Sequence, residues 1–320
     1  MWASCCRNEH GLRPWPSNEI VRTKYLLGMG IGRVSMRSFF DGKRRCPLLA
    51  VLIASMIVLS LPMTQAGAES RYNDWEVWTS AANAVLPAKR GKLGPFRMNI
   101  AAGAAATPEY LGSDTIASKP LPLLDVNYAG TLFLSTQQGV GWNMWRKRTS
   151  RAGPRITFDF GRNAADAPSL AGLPDIELGT EIGLFFESFV ASWRFKGDIR
   201  KEIGGGHGGF LINGEAAWGS RWSKNASLIL GMRTTFMDDT YAESYFGVAA
   251  ANSTAGHATY TPTGGFRDVN AYVQLVYDFT QAIYVATELR GTTLMEQAAD
   301  SPLAESDAFF TGSVMVGYRF

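Results

Sequence analysis

The sequence predicts an all-β fold of one kind: a transmembrane antiparallel β-barrel of twelve strands, with short periplasmic turns and long outer loops. Three observations predict it. Strand-length segments alternate apolar with small or polar residues, connections alternate short with long, and aromatics gather where strands run into the short connections.

The last segment, Ala308 to Phe320, shows the alternation. Phe310, Gly312, Val314, Val316, Tyr318 and Phe320 occupy one set of alternate positions, and Phe309, Thr311, Ser313, Met315, Gly317 and Arg319 the other. A strand points successive side chains to opposite faces, and a membrane barrel shows one face to lipid and the other to a polar lumen. The pattern recurs in Val269–Phe279, Ile283–Arg290, Ala191–Arg200 and Ile176–Glu187. A soluble sandwich alternates too, with its charged face toward water, so the connections discriminate. Short links at Ala129-Gly130, Ser188 to Val190, Ser223 to Asn225 and Thr280 to Ala282 alternate with polar stretches near 107–117, 163–175, 201–209, 238–268 and 294–307. One short side and one long side is the habit of outer-membrane barrels. Tyr128, Trp142, Trp145, Phe186, Trp218, Trp222, Tyr277, Phe279, Tyr318 and Phe320 fall beside the short links or the C-terminus, where a periplasmic aromatic girdle belongs.

Strands are expected near 96–106, 118–128, 131–137, 138–145, 152–162, 176–187, 190–200, 209–222, 226–237, 266–279, 282–293 and 308–320. The stretch 131–145 is either two short strands turning near Gln138-Gly139 or one strand. In the second case the even count that single-chain barrels keep becomes ten. Closure removes every sheet edge, as a bilayer requires.

The 320-residue chain has a formal charge of +3, but nine of its 31 basic residues and only three of its 28 acidic ones lie in residues 1–68, leaving 22 basic and 25 acidic beyond. The basic balance therefore belongs to the front of the chain and implies no nucleic acid. That front reads as a signal peptide over 36–68. Lys43-Arg44-Arg45 is followed by an apolar run from Pro47 to Leu61, then by Ala66-Gly67-Ala68, a cleavage site with small residues at Ala66 and Ala68. The run is shorter than the roughly 20 residues a spanning helix needs. Residues 1–35 read as an over-extended start with no structure expected, Met36 giving a leader of ordinary length and Met29 a second candidate start. Cys5, Cys6 and Cys46 all fall in the leader, so the mature chain has no disulfide or thiolate site. Residues 69–95 form a periplasmic N-terminal segment whose role the sequence leaves open, and 96–320 form the barrel.

Candidate lumen residues are Arg97, Asp125, Asp159, Glu177, Glu181, Glu187, Arg194, Lys196, Asp198, Arg200, Glu215, Arg221, Arg233, Asp278, Glu288, Arg290 and Arg319. Mixed signs favour an ion-paired, packed lumen over a selective pore, which would need single-sign rings. His207, in a Gly-rich run, and His257, in the longest loop, have no acid and hydroxyl at a recognisable spacing. No catalytic, cofactor-binding or metal residues are therefore expected. The aromatic loop sequences are expected to fold inward and close the lumen, since exposed aromatic patches are costly.

Those loops carry a resemblance. Pro108-Glu109-Tyr110-Leu111-Gly112-Ser113-Asp114, Leu121-Pro122-Leu123-Leu124-Asp125-Val126 and Gly139-Val140-Gly141-Trp142-Asn143 come first. Gly161-Arg162 through Leu170–Ile176, Tyr245-Phe246-Gly247-Val248, Asp300-Ser301-Pro302-Leu303 and Gly317-Tyr318-Arg319-Phe320 follow in order. The set resembles the MltA-interacting protein (MipA)/OmpV family of outer-membrane proteins. The resemblance implies a non-enzymatic scaffold in the outer membrane of a Gram-negative bacterium, docking a periplasmic lytic transglycosylase and a murein synthase. The alternatives it leaves are a small-solute porin or a surface adhesin. Implied partners are the lipid bilayer and the barrel-assembly machinery, which reads a terminal aromatic signal here matched by Tyr318 and Phe320. The family supplies no catalytic residues and no cofactor. Its loop positions Pro108, Glu109, Tyr110, Gly112, Asp114, Tyr245, Phe246 and Gly247 are expected to be structural or interaction residues, with Gly112 and Gly247 suited to turns and Pro122 to a strand start or edge.

Overall fold

The computed structural model describes residues 95–253 and 257–320. The proposed start, the signal peptide with Ala66 and Ala68, and nearly all of 69–95 lie outside the described residues.

Thirteen strand segments close into a twelve-strand antiparallel barrel. They are β1 (Phe96–Pro108), β2 (Ile116–Tyr128), β3 (Leu132–Ser135), β4 (Gly139–Trp142), β5 (Trp145–Arg146), β6 (Ser150–Asp159), β7 (Gly179–Val190), β8 (Trp193–Gly204), β9 (Phe210–Arg221), β10 (Ala226–Met237), β11 (Gly265–Asp278), β12 (Ile283–Leu294) and β13 (Ala308–Arg319). β4 and β5 are one strand interrupted at Asn143 and Met144, both halves pairing with β6. Each strand pairs with its sequence neighbour. β1 meets β13 from Asn99↔Arg319 to Ala106↔Gly312, so the two ends of the sheet join. The twelve-strand reading holds and the ten-strand alternative does not, because 131–145 folds as two short strands.

The faces are inverted relative to a water-soluble protein. Large apolar residues face outward and are exposed, among them Ile100, Ile156, Leu184, Leu289 and Val316. Asn99, Asp125, Arg155, Glu181, Glu187, Arg194, Asn213 and Asn270 are buried inside. Only lipid makes that distribution favourable. The expected girdle is in place: nine of its ten aromatics are exposed, and Trp218 is half-buried. Phe96–Tyr128, Tyr277–Phe279 and Tyr318–Phe320 contact each other at 4.8, 5.0 and 4.7 Å between ring centres.

Three inward-facing glycines receive an inward aromatic from the residue directly across the ladder. Phe133 lies against Gly141, Tyr272 against Gly231 and Tyr284 against Gly317. A Cβ at any of these glycines would occupy the ring's place. Glycine weakens a strand by itself, and a ring laid over it restores the packing.

Two boundaries differ from the sequence reading. The turn expected at Ser188 to Val190 lies at Ala191-Ser192, since β7 runs through Val190 and Ala191 takes a left-handed φ of 55° with no glycine or asparagine to signal it. β7 begins at Gly179 rather than 176, because Ile176 is held by Arg162 in an isolated bridge. Glu177 is consequently exposed in a loop, outside the lumen.

Candidate functional site: an ion-paired lumen beneath an interlocked plug

Inside the barrel, register sets the electrostatics. Arg151 pairs across the ladder with Glu187, Glu187 with Lys196, Lys196 with Glu215 and Glu215 with Arg233. Charge thus alternates in sign across five neighbouring strands, and opposite charges facing across a ladder are stabilising. Arg194 reinforces this row from one step away. Its guanidinium bonds Glu215, lies 3.8 Å from Glu187 and donates to the Tyr272 hydroxyl at 3.4 Å. A second group joins Arg155 to Asp198 at 2.7 Å and Arg200 to Glu181 at 2.8 Å, with the Asn213 amide donating to Asp198 at 3.0 Å. Apolar side chains complete the filling. Ala101, Leu123, Val276, Tyr284, Ala286 and Met315 form one buried cluster, and Phe189, Ala217, Ile229 and Tyr272 another.

Above the lumen the long loops interlock. The sequence-predicted loop residues meet here although up to 193 positions separate bonded partners. Pro108 closes β1, and the Glu109 carbonyl accepts from Lys119 at 3.0 Å. Tyr110 is buried with Leu170, Leu173, Val248 and Leu303, and its hydroxyl donates to the Leu303 carbonyl at 3.1 Å. Gly112 has a φ of 101°, a true turn glycine, and its carbonyl accepts from Ser306. The Asp114 carboxylate accepts from Thr115 at 3.2 Å. The helix α1 (Asp239–Phe246) is capped by Asp238, which accepts from the Tyr241 N–H. It drops Tyr241, Ala242 and Phe246 onto Leu211, Met237, Leu294 and Ala298, the last from the short helix α2 (Glu296–Ala299). Tyr245 donates to Asp159 at 2.5 Å, and its carbonyl accepts from Arg162 at 2.7 Å. Gly247 has an ordinary φ of −79°. Glycine is needed there for space, since a Cβ would meet the Glu243 carbonyl.

The two histidines are both placed by this plug. His257 Nε2 lies 2.6 Å from the Ser169 carbonyl. His207 is buried under the Tyr241 ring, 4.6 Å away edge-on. Its Nδ1 accepts from the Gly209 N–H at 3.0 Å, so a neutral ring carries its proton on Nε2, which faces Glu181 at 3.5 Å and Asp159 at 3.9 Å. Asp159, Glu181 and His207 are the one group of described residues whose donor atoms converge closely enough to hold a cation. His207 Nε2 faces the two carboxylates without a hydrogen bond to either, and no serine or threonine hydroxyl bonds the His207 imidazole among the described residues.

Burial pushes the Tyr110 hydroxyl up to about 12, and burial likewise raises Tyr241 and Tyr245 and lowers Arg162. Tyr110 is a neutral donor in the fold and ionises near 10 when released. Its stabilising effect is therefore complete below pH 10 and fades as pH rises toward 12. Limited proteolysis of the outer loops is expected to stay slow to pH 10 and accelerate between 10 and 12, and Tyr110→Phe is expected to blunt that rise.

Sequence reasoning missed Arg151, Arg155 and Tyr272, and named Arg162 only within the family pattern, without its role. Arg155 was detectable, two positions of even spacing from Asp159. The role of Arg162 was not, because its partner, the Tyr245 carbonyl, lies 83 residues away.

A closed antiparallel barrel of even strand number, apolar outside and ionic inside, with short turns at one end and long loops at the other, is an outer-membrane β-barrel of the Gram-negative type. The family model described as MltA-interacting protein MipA matches residues 100–320, and the chain belongs to that family. Among solved structures, the outer membrane channel DcaP of Acinetobacter baumannii is similar at 9% identity and TM-score 0.36, over 70% of this chain and 96% of that one. The NanC porin is similar at 9% identity and TM-score 0.37, over 70% and 98%. A search of curated proteins finds no match.

Proposed function

We propose that this barrel is a non-conducting, non-enzymatic scaffold that anchors murein-remodelling enzymes to the inner side of the outer membrane. The observation that carries the reading is the filled interior: an ion-paired ladder spans five strands of the lumen, and the loops above it are bonded to one another and to the strand ends. Such a barrel has little room for a solute stream, which disfavours the porin reading. The loops spend their aromatics on each other, which disfavours an adhesive outer tip. What is left for a partner is the periplasmic rim, made of five short turns and the point where residues 69–95 enter β1. The family is named for interaction with MltA, and the proposal extends that interaction to this chain: a periplasmic lytic transglycosylase is the first partner, with a murein synthase held beside it. Tyr318 and Phe320, outward and packed edge to face, serve as the signal to the barrel-assembly machinery.

The test is affinity capture with the detergent-solubilised chain against a purified lytic transglycosylase, alongside single-channel recording. The expected result is salt-resistant capture that is lost on deleting residues 69–94, with no steady conductance. Steady conductance with no capture would replace the scaffold with a porin.

A further inference from the structure

The barrel wall is incomplete on its outer half. β2 pairs with β1 along its whole length, from Phe96↔Tyr128 to Pro108↔Ile116. On its other edge only Asp125 to Tyr128 meet β3, followed by Thr136, whose N–H donates to the Leu124 carbonyl at 3.0 Å and whose hydroxyl accepts from the Leu124 N–H at 3.3 Å and donates to the Pro122 carbonyl at 3.4 Å. β6 pairs with β7 from Ser150 to Asp159, yet it meets β4 only at Arg155 and Ile156, and β5 only at Arg151 and Ala152. Above those contacts the outer halves of β2 and β6 face each other with no ladder between them.

The sequence dictates this. Leu124 turns its N–H and C=O toward β3, and residues two apart in a strand turn the same way. Pro122 and Pro120 therefore present to that edge, where neither has an N–H to give. The Pro122 carbonyl accepts from the Thr136 hydroxyl, while the Pro120 carbonyl and the alternate backbone groups of Thr157 to Asp159 that turn away from β7 face a gap at membrane depth. Hydrocarbon cannot satisfy such groups.

What lines the gap is two-sided. A cavity of about 350 Å³ has Leu134, Phe158 and Phe160 on the lipid side and Arg155, Lys196, Arg200 and Arg233 on the lumen side, with Asp198 as its one carboxylate. Arg155 is 7% exposed, and its Nε has no hydrogen-bond partner. A second cavity of about 630 Å³ runs along the outer wall over Trp142, Pro154, Ile182, Leu184 and Ile199, and shares Val140 and Arg155 with the first.

We propose that this notch is a lateral binding site for an anionic, acyl-chained amphiphile, which enters from the bilayer, seats its head against Arg155 and the neighbouring lumen cations, and lays its chain in the outer groove. The pairing of chemistries is the argument. A carboxylate or phosphate oxygen supplies the acceptor that the buried Arg155 Nε lacks, with Lys196, Arg200 and Arg233, themselves paired to glutamates, lining the same cavity, and the head brings water or hydroxyls to the open backbone groups. The adjoining groove is apolar. This site is separate from the periplasmic rim and does not rest on the docking role.

The experiment uses the full detergent-solubilised chain and three dodecyl probes with the same tail, bearing carboxylate, trimethylammonium or maltoside heads, together with phosphatidylglycerol, all read by native mass spectrometry. The carboxylate probe or phosphatidylglycerol is expected to occupy one site at least tenfold more tightly than the cationic and neutral probes. Whichever of the two binds better assigns the source as a free fatty acid or a resident phospholipid. A diazirine fatty acid is expected to label Val140, Trp142, Ile182 or Leu184. Arg155→Gln and Ile182→Trp are each expected to weaken binding at least tenfold. Ile182 faces lipid, so its variant keeps the test valid should Arg155→Gln fail to fold. Equal occupancy by all heads, or binding unmoved by Ile182→Trp, would overturn the proposal in favour of ordinary annular lipid.

Discussion

Arg194→Ala is expected to cost about 3–5 kcal/mol, the usual penalty for removing one partner from a buried ionic group. Arg194 is 2% exposed and stands between Glu187 and Glu215, with the Tyr272 hydroxyl on the same guanidinium. Deleting it takes one counter-charge from two buried carboxylates. Glu187 keeps Arg151, and Glu215 keeps the Tyr272 hydroxyl at 2.8 Å, so the barrel should assemble weakly rather than not at all. The measurement is the urea midpoint of the folded, heat-modifiable band on a gel. Arg194→Lys, which keeps the charge but not the planar fork, is expected to recover only part of the loss. Wild-type stability in Arg194→Ala alone would mean that water reaches this layer and that the lumen is more open than the scaffold reading allows.

Gly317→Val is expected to be nearly as damaging, for a steric reason. A side chain at Gly317 falls inside the Tyr284 ring, which is fully buried, donates to Asn99 at 2.9 Å and carries Arg319 over its face at 4.2 Å. The ring must leave, taking both contacts with it. Overpacking alone costs about 1–3 kcal/mol, and a lost buried hydrogen bond adds about 1–3 more. Gly312→Ala, five residues earlier on the same strand and facing open space, is the control and should change stability by less than about 0.5 kcal/mol. A drop in folded yield for Gly317→Val but not for Gly312→Ala would establish the ring–glycine seat as the cause. Equal behaviour of the two would refute it.

Most of the barrel was readable from the sequence because its governing rule is local. Alternation such as Val314, Val316 and Tyr318 against Ser313, Met315 and Gly317 needs only neighbouring residues, and a lipid face makes the apolar member unambiguous. Turn positions were readable where glycine or asparagine marked them, as at Ala129-Gly130, and missed at Ala191, where an alanine takes the left-handed conformation unannounced. The loop residues of the family pattern could be named but not assembled. Tyr110 with Leu303 and Arg162 with Tyr245 are long-range contacts, and no periodicity encodes which loop closes over which. Pro122 was read as a strand start or an edge residue, and it lies within β2 rather than at its start. That it and Pro120 leave an opening in the wall required the register of β2 against β3.

Those two prolines also fix the timing of anything that happens at the opening. A gap held by an absent contact can be zipped shut when the contact forms, and such a gate has a closed population and a lag. Here two of the donors that would zip it do not exist in the covalent chain, so neither β3 nor a neighbouring protein's strand can extend a continuous ladder along this edge. Exchange across it should follow simple first-order kinetics, fast in arrival and limited by release, with no conformational delay for temperature or ligand to tune.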